Sequence, residues 1–160
     1  DDQKEIVRTT AFWIDAWLKA NYRQVQRRYL VHDATAAEVE EDLFYRLHQS
    51  GGTKISSALQ LCHQLIQMHY APADWNIYLF QFSDGDNFTS DNEQSLRLLH
   101  DRLLPAANLY CYGQVDQRHY GDTFIDALER LSPLENLVMS HIPNDDAIYD
   151  VIKLFLGKGR

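Results

Sequence analysis

The run WNIYLFQF at 75–82, halted by Ser83-Asp84-Gly85-Asp86, constrains the fold more than any other segment. Nearly continuous aromatic and aliphatic residues read as a strand covered on both faces, the pattern of a parallel sheet between helical layers. Upstream, Ile55, Leu59, Cys62, Leu65, Ile66 and His69 recur at helical spacing after Gly51-Gly52-Thr53, and the face ends before Pro72. A helix leading into an apolar strand that stops at acidic and glycine residues is the usual geometry of an α/β ligand crevice. The strand's carboxyl end delivers side chains above the sheet, and glycine lets the backbone turn there. A threonine hydroxyl and a nearby carboxylate are hard oxygen donors, suited to Mg²⁺, Mn²⁺ or Ca²⁺ rather than zinc or copper.

The rest of the chain alternates in the same way. Ile6, Thr10, Trp13, Ile14, Trp17 and Leu18 make one apolar helical face over 5–20, and 28–32 reads as a short strand. Residues 38–50 form an acidic, mixed connection with a helical turn around 43–48. Ser90-Asp91 caps a helix running to about 104, with Pro105 just beyond its end. A strand at 109–115, a helix at 122–131 and a strand at 137–142 follow. Asn144 or Asp145 then caps a last helix at 147–156, which ends at Gly157. Strands alternating with helices predict an α/β fold with a mainly parallel, doubly wound sheet. No repeat, low-complexity tract or long linker divides residues 1–160, so one domain is expected. The first element is a helix, whereas such a sheet normally opens on a buried central strand.

Charge and composition narrow the function. A net charge of −8, with no basic run longer than Arg27-Arg28, repels phosphate backbones, so neither nucleic acid nor an anionic membrane is an expected partner. No stretch reaches the roughly 18 apolar residues that span a bilayer, and no signal-peptide pattern opens the chain. Cys62 and Cys111 sit in apolar segments without CxxC spacing, as buried thiols of a reducing compartment do, and a cytoplasmic protein is expected. The seven histidines show no HxxxH or HxH arrangement, so zinc is not expected. His32-Asp33 ends a strand, not the helix that an HD-type phosphohydrolase uses. Gly51-Gly52 lacks the length and the lysine of a P-loop, and no serine sits in a nucleophile elbow.

The residues GGT before a helix and an apolar strand closing on SDG resemble the von Willebrand factor A fold. More closely, HDATAAEVEEDLFY, GGTKISSAL and YLFQFSDGDNF resemble the bacterial YeaH/YhbH proteins, the DUF444 family. The resemblance spans nearly the whole chain. It implies a three-layer α/β sandwich with a metal-ion-dependent adhesion site (MIDAS) at the top of the sheet. There an Asp-x-Ser-x-Ser loop, a threonine and an aspartate share one divalent cation. Thr53 matches the threonine and Asp84 the aspartate, with Ser83 and Asp86 as outer-shell residues. The Asp-x-Ser-x-Ser loop and its central strand are absent from this sequence, so three of the site's five side-chain positions are missing. Asp1 and Asp2 fall just past that loop, as in a carboxyl-terminal part of a longer protein. The missing strand implies an exposed slot in the sheet, filled by polypeptide from upstream or by homodimerisation.

Each site residue has a simpler role as well. Thr53 suits a helix N-cap, Asp84 and Ser83 a strand end, and Asp86 and Asn87 a turn. Asp122, Asp126 and Glu129 read as a solvated helical face. Two function classes remain. One is a protein-interaction module in which an acidic partner side chain completes the shell of Mg²⁺ or Mn²⁺, in the bacterial stress or sporulation setting that the resemblance implies. The other is a Mg²⁺-dependent phosphoryl-transfer or hydrolytic enzyme built on the Asp84/Asp86 loop, with Ser83 or His141 as nucleophile or base.

Overall fold

The computed structural model describes residues 2–32, 35–46, 54–115 and 122–158. Its elements are α1 (Asp2–Asn21), β1 (Tyr29–His32), β2 (Ala36–Val39), α2 (Glu41–Arg46), α3 (Ile55–His69), β3 (Tyr78–Ser83) and α4 (Thr89–Leu98). A π-helical segment (Leu99–Leu103) leads to α5 (Leu104–Ala106), β4 (Leu109–Gln114), α6 (Phe124–Leu128), β5 (Leu137–His141) and α7 (Ile148–Lys158). Strands β3, β4 and β5 form a parallel sheet in that order, with Tyr78 opposite Leu109 and Tyr110 opposite Leu137. Strands β1 and β2 form a separate antiparallel hairpin, with Tyr29 opposite Val39.

Strand β4 is buried at every position because side chains on a strand alternate between two covered faces. Tyr110 and Tyr112 pack with Ile55, Leu59 and Ile66 of α3, Leu96 of α4, and Phe124 and Leu128 of α6. Leu109 and Cys111 pack on the other side with Ile6 and Ile14 of α1 and Val151 and Phe155 of α7. Helices therefore cover both faces of a parallel sheet in a mixed α/β chain. Each fully buried aromatic or aliphatic side chain contributes roughly 1.5–3 kcal/mol. Burial pushes the Cys62 thiol up to about 11 and raises that of Cys111 further, so both are inert thiols at neutral pH.

The hairpin is held by polar contacts together with the packing of the Tyr29 ring on Phe44 and Tyr45 of α2. Asp15 of α1 accepts hydrogen bonds from the hydroxyls of Tyr29 and Tyr45, and Arg27 lies 3.6 Å from the same carboxylate and 3.1 Å from Glu41. Burial first, and the Asp15 carboxylate second, hold both phenols well above their ordinary pKa. Arg28 pairs with Glu38 across the hairpin at 3.0 Å and donates to the Tyr70 hydroxyl at the end of α3. Between the hairpin and β3 runs a cleft of about 660 Å³, walled by α1 and α3.

Several sequence expectations change. The 75–82 strand begins at Tyr78 and is only half-buried, because β3 has a sheet neighbour on one edge alone among the described residues. Part of the expected 38–50 connection belongs to β2, which pairs antiparallel with β1 and is tied to it by the Arg28–Glu38 contact. The described parallel strands lie in sequential order, without the reversal that a doubly wound sheet carries. Trp13 is exposed and meets Phe12 edge-on, so Ile6, Thr10 and Ile14 carry the buried face of α1. Helix α4 starts at Thr89 rather than after an Asp91 cap, because the Asp91 carboxylate is engaged by Ser56. The helix also passes Pro105. Its widened π turn places the Leu104 N–H on the Leu99 carbonyl, which accommodates a residue that has no N–H to give. Asn144 caps a 3₁₀ turn (Asp145–Ala147) that leads into α7, accepting from the Ala147 N–H, and α7 runs through Gly157 to Lys158 instead of ending there. No described helix is long and apolar enough to cross a membrane.

Candidate functional site

The loop leaving β3 is built from below by β4 and α6. The Ser83 hydroxyl shares a hydrogen bond with the Tyr112 hydroxyl and accepts from the Gly85 N–H at 3.1 Å. Gly85 adopts φ +83°, and a Cβ there would stand 2.3 Å from the Gln114 side chain, so the turn requires glycine. The Gly85 carbonyl accepts from the Phe124 N–H at 3.0 Å. Gln114, fully buried, accepts from the Tyr112 hydroxyl and the Ile125 N–H, and donates to the Thr123 hydroxyl at 2.9 Å. Thr123 in turn donates from its N–H and hydroxyl to Asp126, each at 2.9 Å. Above this base the Asp84 carboxylate accepts from the Asp86 N–H at 2.9 Å, closing a turn with Asp86 exposed.

A second network ties the loop to the first turn of α3. Asn87 accepts from the Ile55 N–H and donates to Asp91 and Asn92, both at 2.8 Å. The buried Asp91 carboxylate also accepts from the Ser56 N–H and hydroxyl and from the Ser95 hydroxyl. Burial alone would raise the Asp91 pKa. The bonds from Ser56, Asn87 and Ser95 outweigh that and hold it below the ordinary carboxylate value. The positive end of α3 is therefore satisfied by a carboxylate of the same chain.

Ser83, Asp84 and Asp86 thus share one braced loop at the carboxyl end of a parallel strand, next to the start of α3. Thr53, like Gly51 and Gly52, lies outside the described residues. Among the described residues no three His, Cys, Asp or Glu side chains gather as a metal cage. The loop offers two carboxylates, Asp84 and Asp86, both hard oxygen donors, on a braced turn. His141 sits at the end of β5, in register with Gln114.

Gln114, Thr123 and Asp91 carry the brace, and none was singled out for it from sequence. Gln114 was visible as the one amide closing the apolar run LYCYGQV. Thr123 and Asp126 have the spacing of a helix cap, so Asp126 is not simply part of a solvated face. Asp91 gave no such signal, since its partner Ser56 lies 35 residues away.

A UPF0229 protein of Bacillus velezensis is 37% identical over 129 residues, covering 81% of this chain and 32% of its own length. One from Serratia proteamaculans is 36% identical over 137 residues, covering 86% and 32%. One from Halalkalibacterium halodurans is 38% identical over 129 residues, covering 81% and 33%. The chain spans about a third of the length of the curated relatives it matches. No solved structure matches it. The model of the family described as "Protein of unknown function (DUF444)" matches residues 1–159, and the chain belongs to that family.

Proposed function

We propose that this chain is a von Willebrand A-like protein-interaction module whose Asp84 loop holds one hard divalent cation, Mg²⁺ or Mn²⁺. Asp84 and Thr53 are the protein donors of that site, with Ser83 and Asp86 in its outer shell. The cation supplies a positive charge with an open coordination position, which an acidic side chain of a partner protein fills. The observation that carries this reading is the braced Ser83–Asp86 loop. Its turn is locked by Gln114 from below, and its flank is pinned by Asn87 and Asp91 to the helix that follows Thr53. Such bracing lowers the cost of ordering donors around an ion. The site is incomplete in these 160 residues, and the donors absent from the sequence are the ones the family resemblance assigns to the Asp-x-Ser-x-Ser loop. A bacterial stress or sporulation setting belongs to the same proposal. The phosphoryl-transfer alternative gains nothing from Ser83, whose hydroxyl is buried and bonded to Tyr112 and Gly85.

Calorimetric titration of Mn²⁺ into the chain and into Asp84→Ala tests the proposal, with acetate added as a carboxylate probe. A single-site isotherm that tightens with acetate and weakens at least tenfold in Asp84→Ala is expected. Identical isotherms for the two proteins would overturn it.

A further inference from the structure

A single exposed aromatic is ordinary on a protein surface, and Phe88 departs from that in two ways. First, it stands at the N-cap of α4 with extended backbone, φ −65° and ψ 142°, and is 66% exposed. That position favours Ser, Thr, Asp or Asn, whose side chains accept from the first amides of the helix, and the Phe88 side chain makes no such bond. Nor does its ring belong to a hydrophobic staple. A staple needs apolar residues just before the cap and four positions after it. Here those are Asn87 and Asn92, joined by a side-chain hydrogen bond at 2.8 Å. The start of α4 therefore gains nothing from an aromatic at 88.

Second, its backbone is fixed beside the acidic loop. Asn87 is pinned to Ile55, Asp91 and Asn92, and the Phe88 carbonyl accepts from the Asn92 N–H at 2.9 Å. An aromatic on so fixed a backbone loses little conformational freedom when a partner covers it. Phe88 lies four residues from Asp84, at most about 14 Å along the chain, and the turn at Asp84–Asp86 shortens that reach. Taking the cation proposed at Asp84 as given, we infer that Phe88 is the apolar half of the same partner site. The segment it binds carries a large apolar side chain about two to four residues from the carboxylate that completes the cation's shell. The cation selects an acid, and the ring selects which acid-bearing segment is held. A second copy of this chain is the poorer occupant, since each copy carries a net charge of −8.

The test titrates Gly/Ser peptides into the Mn²⁺-loaded chain by calorimetry. Each peptide carries one Glu and one Phe placed two, three or four residues away on either side, and a peptide with Glu alone is the reference. At least one spacing binds tenfold tighter than the reference. Phe88→Ser erases that gain and leaves the Mn²⁺ isotherm and the reference peptide unchanged. Because serine is the better cap, Phe88→Ser also melts no lower than the parent. Mn²⁺ binding with no gain at any spacing, or with an equal gain in Phe88→Ser, would overturn the inference and leave the cation reading standing. A lower melting temperature in Phe88→Ser would mark the ring as structural and overturn it as well. Absence of Mn²⁺ binding would remove the cation reading and the inference together. A Phe88-dependent dimer in sedimentation would assign the ring to a second copy, which overturns it equally.

Discussion

Strands β3 and β4 are neighbours of equal length, six residues each, and both are rich in aromatics. Yet β4 is buried throughout, while five of the six positions in β3 are only half-buried. Side-chain chemistry does not explain this, since YLFQFS carries as many large apolar residues as LYCYGQ. Position does: β4 has strands on both edges, and β3 faces the cleft. The polar ends differ in the same sense. Gln114 closes β4 with its amide fully buried and bonded inward, whereas β3 runs into Asp84 and the exposed Asp86. The fully buried strand and the strand that leads into the acidic loop are thus adjacent, and the first braces the second.

The largest test of this contrast is truncation on each strand. Tyr112→Ala should cost about 3–5 kcal/mol in urea unfolding, and Leu79→Ala about half as much, because the half-buried site loses less contact. Equal losses would remove the distinction. Next in size is Gly85→Ala, which forces a side chain into the left-handed region and against Gln114. A loss of about 2–3 kcal/mol is expected in thermal unfolding. A variant as stable as the parent would show that the loop is not braced from β4.

The smallest effect concerns pH. Asp91 is held below its ordinary value of 3.8, so its contribution is complete at neutral pH and is lost as pH falls through the lower, folded-state value. Asp91→Asn should cost about 1–3 kcal/mol at pH 7 and flatten the fall in stability below pH 4. An unchanged acid limb in denaturant melts measured from pH 7 to pH 2 would show that Asp91 does not hold the loop to α3.

Periodicity made much of this legible. Helix α3, strands β4 and β5 and the loop at Ser83 stand within about a residue of where apolar spacing and glycine put them. What was not legible depended on partners distant in sequence. Asp91 reads as a cap for the helix it begins until Ser56 is placed beside it. Trp13 matches the apolar spacing of α1 yet points to solvent, since periodicity marks a face and not what covers it. Ala36–Val39 is a strand because His32 and Tyr29 pair with its ends, which four residues of modest β-propensity do not announce. The half-exposure of β3 follows from its having a paired strand on one edge alone among the described residues, which its own sequence cannot reveal.

Whether the Asp84 loop holds a cation is read from site-resolved line broadening by Mn²⁺ in amide spectra of the chain and of Asp84→Ala. Low Mn²⁺ is expected to broaden Gly85, Asp86 and Asn87 first, and Asp84→Ala to remove this local effect while leaving weak broadening elsewhere on the acidic surface. Broadening spread evenly over the carboxylates, or the same at the loop in both proteins, would contradict it.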